Sequence, residues 1–286
     1  MADTSMAENS TDQISPAETE MPINLLQIGC GKMGGALLDA WVSADLLNLS
    51  YVVDPGAERL DLPPFIPLVS SLDEVPETFS PDILMLAIKP QMVAEVIPTL
   101  VPRRDDAVVL SIMAGVSIAG LGEHFGADTP IVRTMPNTPA AVRRGITAAM
   151  GNDQVSASQR DLVDRLLAAT GAGVWLADET QFDAVTGVAG SGPAYVFHMV
   201  EALAAAGEAN GLSTDLAMTL ARATVSGAGA LLDADDASAA TLRQNVTSPK
   251  GTTEAGLDVL MGGEALVKLM TETVKAAADR SRTLGG

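Results

Sequence analysis

Apolar residues change texture once along this chain, near Phe182. Before it they gather in short runs closed by glycine, proline or a polar residue; after it they surround long helical stretches rich in alanine and glycine. The runs Ile23–Ile28, Tyr51–Val53, Ile83–Ile88, Val108–Ile112 and Ile131–Thr134 have the length and aliphatic content of buried strands. Helical periodicity follows at Met33–Leu46, with Leu37, Leu38, Trp41 and Val42 on one side, and at Met92–Leu100. Strands alternating with helices predict a parallel sheet covered on both faces. Beyond Phe182, helices are predicted over 194–210, 214–232, 237–245, 252–260 and 264–283. Pro193 suits a first helical turn, Gly211 a left-handed stop, and Ser213 the N-cap of the next helix.

The connection after the first run carries chemistry. Gly29-Cys30-Gly31-Lys32-Met33-Gly34 matches G-x-G-x-x-G and stands between a strand and a helix, the context that motif requires. Gly29 permits the tight turn, Gly31 lets the backbone approach a pyrophosphate, and Gly34 lets helix and strand pack closely. Asp54 closes the second strand twenty residues after Gly34, where an acid can hydrogen-bond a ribose 2′-hydroxyl. The expected fold class is therefore α/β: a Rossmann-type dinucleotide-binding domain over residues 21–182, then an all-α C-terminal domain over 183–286. In such a sheet ligands lie beyond the carboxyl ends of the strands. The loops at Gly29, Asp54, Ala87–Gln91, Met113–Gly115 and Pro136–Thr138 are expected on one rim.

A second anion site is legible at Val246–Glu254, Val-Thr-Ser-Pro-Lys-Gly-Thr-Thr-Glu. Small residues and Gly251 lead into a helix, whose start offers unpaired N–H groups and the positive end of the dipole. The hydroxyls of Ser248, Thr252 and Thr253 surround that point. A merely capped helix reads the same way; the glycine turn at the other end of the chain favours a site.

Composition bounds the remaining options. With 286 residues the chain suffices for two domains, and a 47% hydrophobic fraction marks it as globular. A net charge of −19 argues against nucleic-acid and anionic-membrane partners. Cys30 is the only cysteine, so no intramolecular disulfide forms; it is read as a small filler residue. No apolar stretch is long enough to span a membrane. Residues 1–20, polar and acidic, resemble neither a signal peptide nor a presequence and are expected to be a disordered tail on a cytoplasmic protein. No metal site is expected. Apolar residues around the C-terminal helices exceed what about 100 residues bury alone, which predicts an intimate homo-oligomer.

A nicotinamide domain joined to an anion-binding helical domain points to hydride transfer involving a small acid. Hydroxy-acid chemistry needs a base. His124 near a helix end and His198 inside an apolar helix are both read as ordinary helix residues, and Lys89 is the one credible base, though it also suits loop support. Scarcity of bases fits reduction of a C=N bond. A protonated imine is already electrophilic, so positioning does most of the work, and Thr253 is the natural hydrogen-bond partner for nitrogen.

Five motifs now occur in order: Gly29-x-Gly-x-Met-Gly; Ala87-Ile88-Lys89-Pro90-Gln91; Arg133-Thr134-Met135-Pro136-Asn137-Thr138-Pro139; Gly190-Ser191-Gly192-Pro193-Ala194-Tyr195; and Val246–Glu254. From about Ile23 to the C-terminus the chain resembles the pyrroline-5-carboxylate reductases. The resemblance implies reduction of 1-pyrroline-5-carboxylate to L-proline, the last step of proline synthesis, with NADPH or NADH. It implies substrate contacts at Val246, Ser248, Gly251, Thr252 and Thr253, with Thr253 catalytic at the ring nitrogen. It implies cofactor contacts at Gly29, Cys30, Gly31, Lys32, Met33, Gly34, Asp54, Ala87, Ile88, Lys89, Pro90, Met113, Ala114, Pro136 and Asn137. It also implies dimers with interlocked helical domains, five of which form a decamer in many members, and sites that join one subunit's cofactor domain to its partner's loop. Two departures stand out. Lys250-Gly251 replaces the usual Gly-Gly, either attracting the acidic substrate or pointing into water. The charge of Asp54 favours NADH, while Arg59 and Lys32 offset it, so both cofactors stay open. The alternatives are a 3-hydroxy-acid dehydrogenase, whose helical lysine would have to be Lys268 or Lys275, and a nucleotide-binding protein without catalysis, which the Thr252-Thr253 loop disfavours.

Overall fold

The computed structural model describes residues 21–56, 61–104 and 106–285. The tail 1–20 and Arg59 lie outside the described residues. Among them, eight strands form one sheet: β1 Leu25–Ile28, β2 Tyr51–Val53, β3 Leu68–Val69, β4 Ile83–Leu86, β5 Val108–Ser111, β6 Ile131–Met135, β7 Gly145–Gly151 and β8 Gly171–Trp175. Their order is β3-β2-β1-β4-β5-β6-β7-β8.

From β3 to β6 every neighbour is parallel, as the alternating pattern predicts. β1, β4, β5 and β6 are buried along their whole length, which explains why they read as mostly apolar runs rather than alternating ones. Alternate residues still serve opposite faces. Leu25, Met85, Leu110 and Val132 join one core with Leu37, Leu38 and Trp41 of helix α1 (Lys32–Ser43). Leu26, Leu84, Val109 and Ile131 join the other with Ile97 of α2 (Val93–Leu100) and Leu121 of α3 (Ile118–Phe125).

Beyond the predicted strands the sheet continues through β7, which runs antiparallel to β6; β8 is parallel to β7. The reason is length. Only a one-turn 3-10 segment, Thr138–Val142, fits between β6 and β7, too short for a crossover of a dozen residues. Between β7 and β8 there is room for α4 (Ala157–Thr170), and the parallel sense returns.

After β8 the chain enters helices: the short α5 (Phe182–Val185), a π-helical turn Thr186–Gly190, then α6 (Gly192–Ala209), α7 (Thr214–Ala234), α8 (Ala239–Asn245), α9 (Thr252–Met261) and α10 (Ala265–Gly285). Pro193 occupies the first turn of α6, and Ser213 is the N-cap residue of α7 without a side-chain cap bond. α10 folds back over the π turn so closely that a Cβ on Gly187 would stand 2.8 Å from Val274 O. Ser281 Oγ donates to Asp183 Oδ1 at 2.8 Å in the same contact. α6 and α7 pack as a hairpin on alanines, with Ala204, Ala217 and Ala221 each 2% exposed. Large apolar side chains of these helices face outward instead: Phe197 is 63% and Val259 75% exposed. Among the described residues no helix is long and apolar enough to cross a membrane.

Candidate active site

The predicted rim exists, and hydrogen bonds tie its loops together. Gly29 N–H donates to Val53 O at 2.9 Å, Ala87 N–H to Ile28 O at 2.8 Å, and Ile112 N–H to Leu86 O at 3.1 Å. Thr134 Oγ1 donates to Ser111 O at 3.0 Å. The ends of β1, β2, β4, β5 and β6 are thus registered side by side.

At its centre is the glycine turn. Gly29 has φ +92°, a conformation open to glycine, and a Cβ there would fall 2.5 Å from Ala87 O. A Cβ on Gly34 would stand 2.9 Å from Ala87 Cβ, so close packing of α1 on the sheet needs that glycine. At Gly31 an added Cβ would meet nothing within 4 Å. The structure itself fits a dinucleotide. α1 begins at N-cap Gly31 with no side-chain cap bond and no acidic residue in its first turn. The N–H groups of Lys32, Met33 and Gly34 precede the first intrahelical bond, Gly35 N–H to Gly31 O at 2.8 Å. Cys30, Gly31, Lys32, Gly35, Ala36, Asp39 and Ala141 line a cleft of about 340 Å³ there.

Asp54 turns toward this loop. Its Oδ2 accepts from Cys30 N–H at 2.6 Å and its Oδ1 from Gly56 N–H at 2.8 Å. Each carboxylate oxygen keeps a further lone pair, so a ribose hydroxyl can still donate to it. The side chains of Met113, 2% exposed, and Asn137, 8% exposed, are committed to the interior. Asn137 Nδ2 donates to Ala189 O at 3.1 Å and its Oδ1 accepts from Ile146 N–H at 3.0 Å, so it ties the end of β6 to β7 and to the π turn. Ala87, Ile88 and Pro90 are half-buried on the rim, Lys89 and Ala114 exposed, and Pro136 buried.

Reading by sequence pattern missed Gln27. It sits in β1, fully buried, below the glycine turn. Its Nε2 donates to Gly29 O at 2.8 Å, while Oε1 has no hydrogen-bond partner among the described residues. An orphaned buried acceptor costs about 1–3 kcal/mol. The one signal was a lone amide inside an apolar strand. Arg133 was also missed as a structural centre. Its guanidinium lies 4.3 Å from the Phe182 ring centroid and 2.8 Å from Glu179 Oε1, joining β6 to the start of the helical half.

The helix start expected after Gly251 is that of α9. Gly251 is its N-cap, again without a side-chain cap bond, whereas α3, α4 and α8 are capped by the hydroxyls of Ser117, Ser156 and Ser238. Thr252, Thr253 and Glu254 present their N–H groups before the first intrahelical bond, Ala255 N–H to Gly251 O at 3.2 Å. Glu254 folds back, Oε2 accepting from Lys250 N–H at 2.6 Å. A Cβ on Gly251 would overlap Ser248 Oγ, so the hydroxyl and the helix start share one point. Val246, Ser248, Thr252 and Thr253 are exposed. Within this chain α9 packs chiefly on α10 and the Gly262–Glu264 turn. The two glycine-capped helix starts therefore belong to separate halves of the molecule.

The lysines of the dehydrogenase alternative are engaged locally: Lys268 Nζ donates to Gly263 O at 2.7 Å, and Lys275 Nζ pairs with Asp279 at 2.5 Å. His198 Nδ1 lies 2.9 Å from Glu201 on the exposed side of α6. Among the described residues no cluster of three or more metal-ligating side chains occurs.

Comparison with known proteins agrees with both halves. Residues 25–115 match the family model described as NADP oxidoreductase, coenzyme F420-dependent. Residues 179–284 match pyrroline-5-carboxylate reductase dimerisation. The pyrroline-5-carboxylate reductase of Pseudomonas aeruginosa is 39% identical over 267 residues, covering 90% of this chain and 95% of that protein. The enzyme of Pisum sativum is 36% identical over 90% of this chain and 94% of its own length. The pyrroline-5-carboxylate reductase structure from Coxiella burnetii has a TM-score of 0.85 at 31% identity, covering 93% of this chain and all of that one. A Plasmodium falciparum pyrroline carboxylate reductase with NADP bound has a TM-score of 0.78 at 28% identity, covering 92% and 98%. The chain belongs to the pyrroline-5-carboxylate reductase family.

Proposed function

We propose that this chain reduces 1-pyrroline-5-carboxylate to L-proline with NADPH or NADH. The observation that carries this reading is the pair of glycine N-caps, at α1 and α9, which leave the first N–H groups of both helices to external anions, whereas α3, α4 and α8 use serine hydroxyls. The α1 start and Gly31 suit a pyrophosphate, with Gly29, Cys30, Lys32, Met33, Gly34 and Asp54 around it. Ala87–Pro90, Met113, Ala114, Pro136 and Asn137 form the neighbouring rim for the nicotinamide end. A nicotinamide held on that rim would supply the hydride for the imine carbon.

Thr252 and Thr253 N–H groups hold the substrate carboxylate, with Val246, Ser248 and Gly251 shaping the loop. Thr253 Oγ hydrogen-bonds the ring nitrogen, which keeps the proton it carries as iminium and ends as a secondary amine. No side-chain base is required. Holding both reactants in register contributes up to about 7–11 kcal/mol.

In this reading 21–182 is the cofactor domain and 183–286 the substrate and dimerisation domain. Outward-facing Phe197 and Val259 support a dimer that covers these helices and brings α9 of one subunit to the rim of the other. Assembly of such dimers into a decamer rests on the sequence resemblance, and action in the cytoplasm is the expectation set by the sequence composition. The test is loss of absorbance at 340 nm with pyrroline-5-carboxylate and either cofactor, wild type beside Thr253→Ala. Wild type should turn over and the variant should lose at least a hundred-fold in kcat without a change in melting temperature. Unchanged activity in a folded variant removes Thr253 from the mechanism; no oxidation by a folded, nucleotide-binding wild type refutes the reaction.

A further inference from the structure

We infer that Gln27 is a positioning residue for the dinucleotide: with Asp54 it clamps the peptide between Gly29 and Cys30 from both ends. The inference rests on the assignment of the glycine turn to the cofactor. Gln27 Nε2 donates to Gly29 O at 2.8 Å, and Cys30 N–H donates to Asp54 Oδ2 at 2.6 Å. The carbonyl and the N–H of one trans peptide point in opposite directions, so these two bonds hold the plane like a pair of pins. A flip of that plane would turn the Gly29 carbonyl away from Gln27 and break the Cys30–Asp54 bond. It would also aim the Gly29 carbonyl at the Asp54 carboxylate, where Cys30 N–H now points. Gly29, at φ +92°, offers little resistance of its own to such rotation, because glycine has the widest choice of backbone angles.

Stability does not explain the amide. Gln27 is fully buried and its Oε1 has no partner among the described residues; an apolar side chain of the same shape would remove that orphan and take the donor from Gly29 O, so the two costs roughly offset. Its neighbours across the strands are Val52 and Met85, which ask for nothing polar. Its Nε2 also lies 3.2 Å from where a Cβ on Gly34 would stand, at the first turn of α1. The amide thus sits under the turn whose N–H groups face the cofactor, and its one hydrogen bond goes to that turn. A flipped amide would set two oxygens against each other, so the geometry assigns the donor to Gly29 O.

The experiment measures NADPH and NADH binding by fluorescence titration, with steady-state kinetics and melting, on full-length protein. Gln27→Met keeps the volume and removes the donor. Because the clamp acts on the turn that both cofactors share, both dissociation constants should rise by the same factor, about five- to twenty-fold. The substrate KM and kcat at saturating cofactor should stay within about three-fold, and the melting temperature should stay within a few degrees of wild type, since one unsatisfied oxygen, Gln27 Oε1, is exchanged for another, Gly29 O. Unchanged cofactor affinity in folded Gln27→Met overturns the inference, as does a change confined to NADPH, which would mark a 2′-phosphate effect. If the methionine variant fails to fold, Gln27→Leu repeats the measurement; failure of both to fold makes the amide a stability element and also overturns it. Gly31→Val serves as control. If it binds NADPH as well as wild type does, the assignment of the turn itself fails, separately from the clamp.

Discussion

Lys250 is a non-glycine residue with φ +59°, directly before the N-cap Gly251. A left-handed conformation costs an L-residue roughly 1–2 kcal/mol. Glycine would relieve that cost but lose roughly 0.5–1 kcal/mol more in chain entropy on folding. Lys250→Gly should therefore stabilise the protein by about 0.5–1 kcal/mol, which for a chain of this size raises Tm by roughly 1–2 °C. The backbone bond from residue 250 to Glu254 survives, since glycine keeps the N–H. What is lost is an exposed ammonium. One solvated charge about 4 Å from a carboxylate is worth about 1 kcal/mol, or roughly five-fold in KM. The expected outcome in a 340 nm assay is kcat within a few-fold of wild type, KM for the imine raised by at most about five-fold, and a higher Tm. A loss of several hundred-fold in kcat would show that the ammonium takes part in the reaction. A lower Tm would refute the strain argument.

Three further outcomes are expected. Asn137→Ala leaves Ile146 N–H and Ala189 O without their partner, at about 1–3 kcal/mol each, so thermal melting should fall by several degrees while cofactor contacts through the backbone persist. Asp54→Asn removes a charge beside the ribose site and should raise kcat/KM for NADPH relative to NADH several-fold; an unchanged ratio would mean that the carboxylate serves only Cys30 and Gly56. Light scattering at micromolar concentration should give at least twice the monomer mass, and a monomeric mass would remove the shared site.

The fold was legible where one residue type is physically required. Buried parallel strands are mainly aliphatic, and five of them were read to within a few residues. β7, Gly-Ile-Thr-Ala-Ala-Met-Gly, and β8, Gly-Ala-Gly-Val-Trp, were not, because glycine and alanine are poor strand formers and carry no period-two signal. They are strands because β6 offers a free edge and the connection is too short to do anything but turn back. β3, two residues long, had no pattern to show. The helical half was placed well since Ser213 and Gly251 mark helix starts locally.

The site divides along the same line. Gly29, Gly34 and Gly251 were readable because a side chain at each would collide with Ala87 or Ser248, so their identity follows from the backbone path alone. Gln27, Arg133 and the side chain of Asn137 were hidden or misplaced. Their partners, Gly29 O, Glu179 and the pair Ile146 and Ala189, are set by tertiary contact and leave no spacing rule in the sequence. The same distinction explains the exposed face. The helices after Phe182 bury alanines against each other and leave Phe197, Val259 and Leu269 outside, a pattern that is costly in water unless another surface covers it. The α9 start sits among those helices and packs within its own chain on α10 and the turn before it. In the proposed dimer one event answers both conditions: the surface that covers the apolar helices also carries α9 to a cofactor rim. Substitutions that open that interface should then abolish turnover and assembly together while leaving dinucleotide binding intact, because the glycine turn and its supports lie wholly within residues 27–54 and 87 of one subunit.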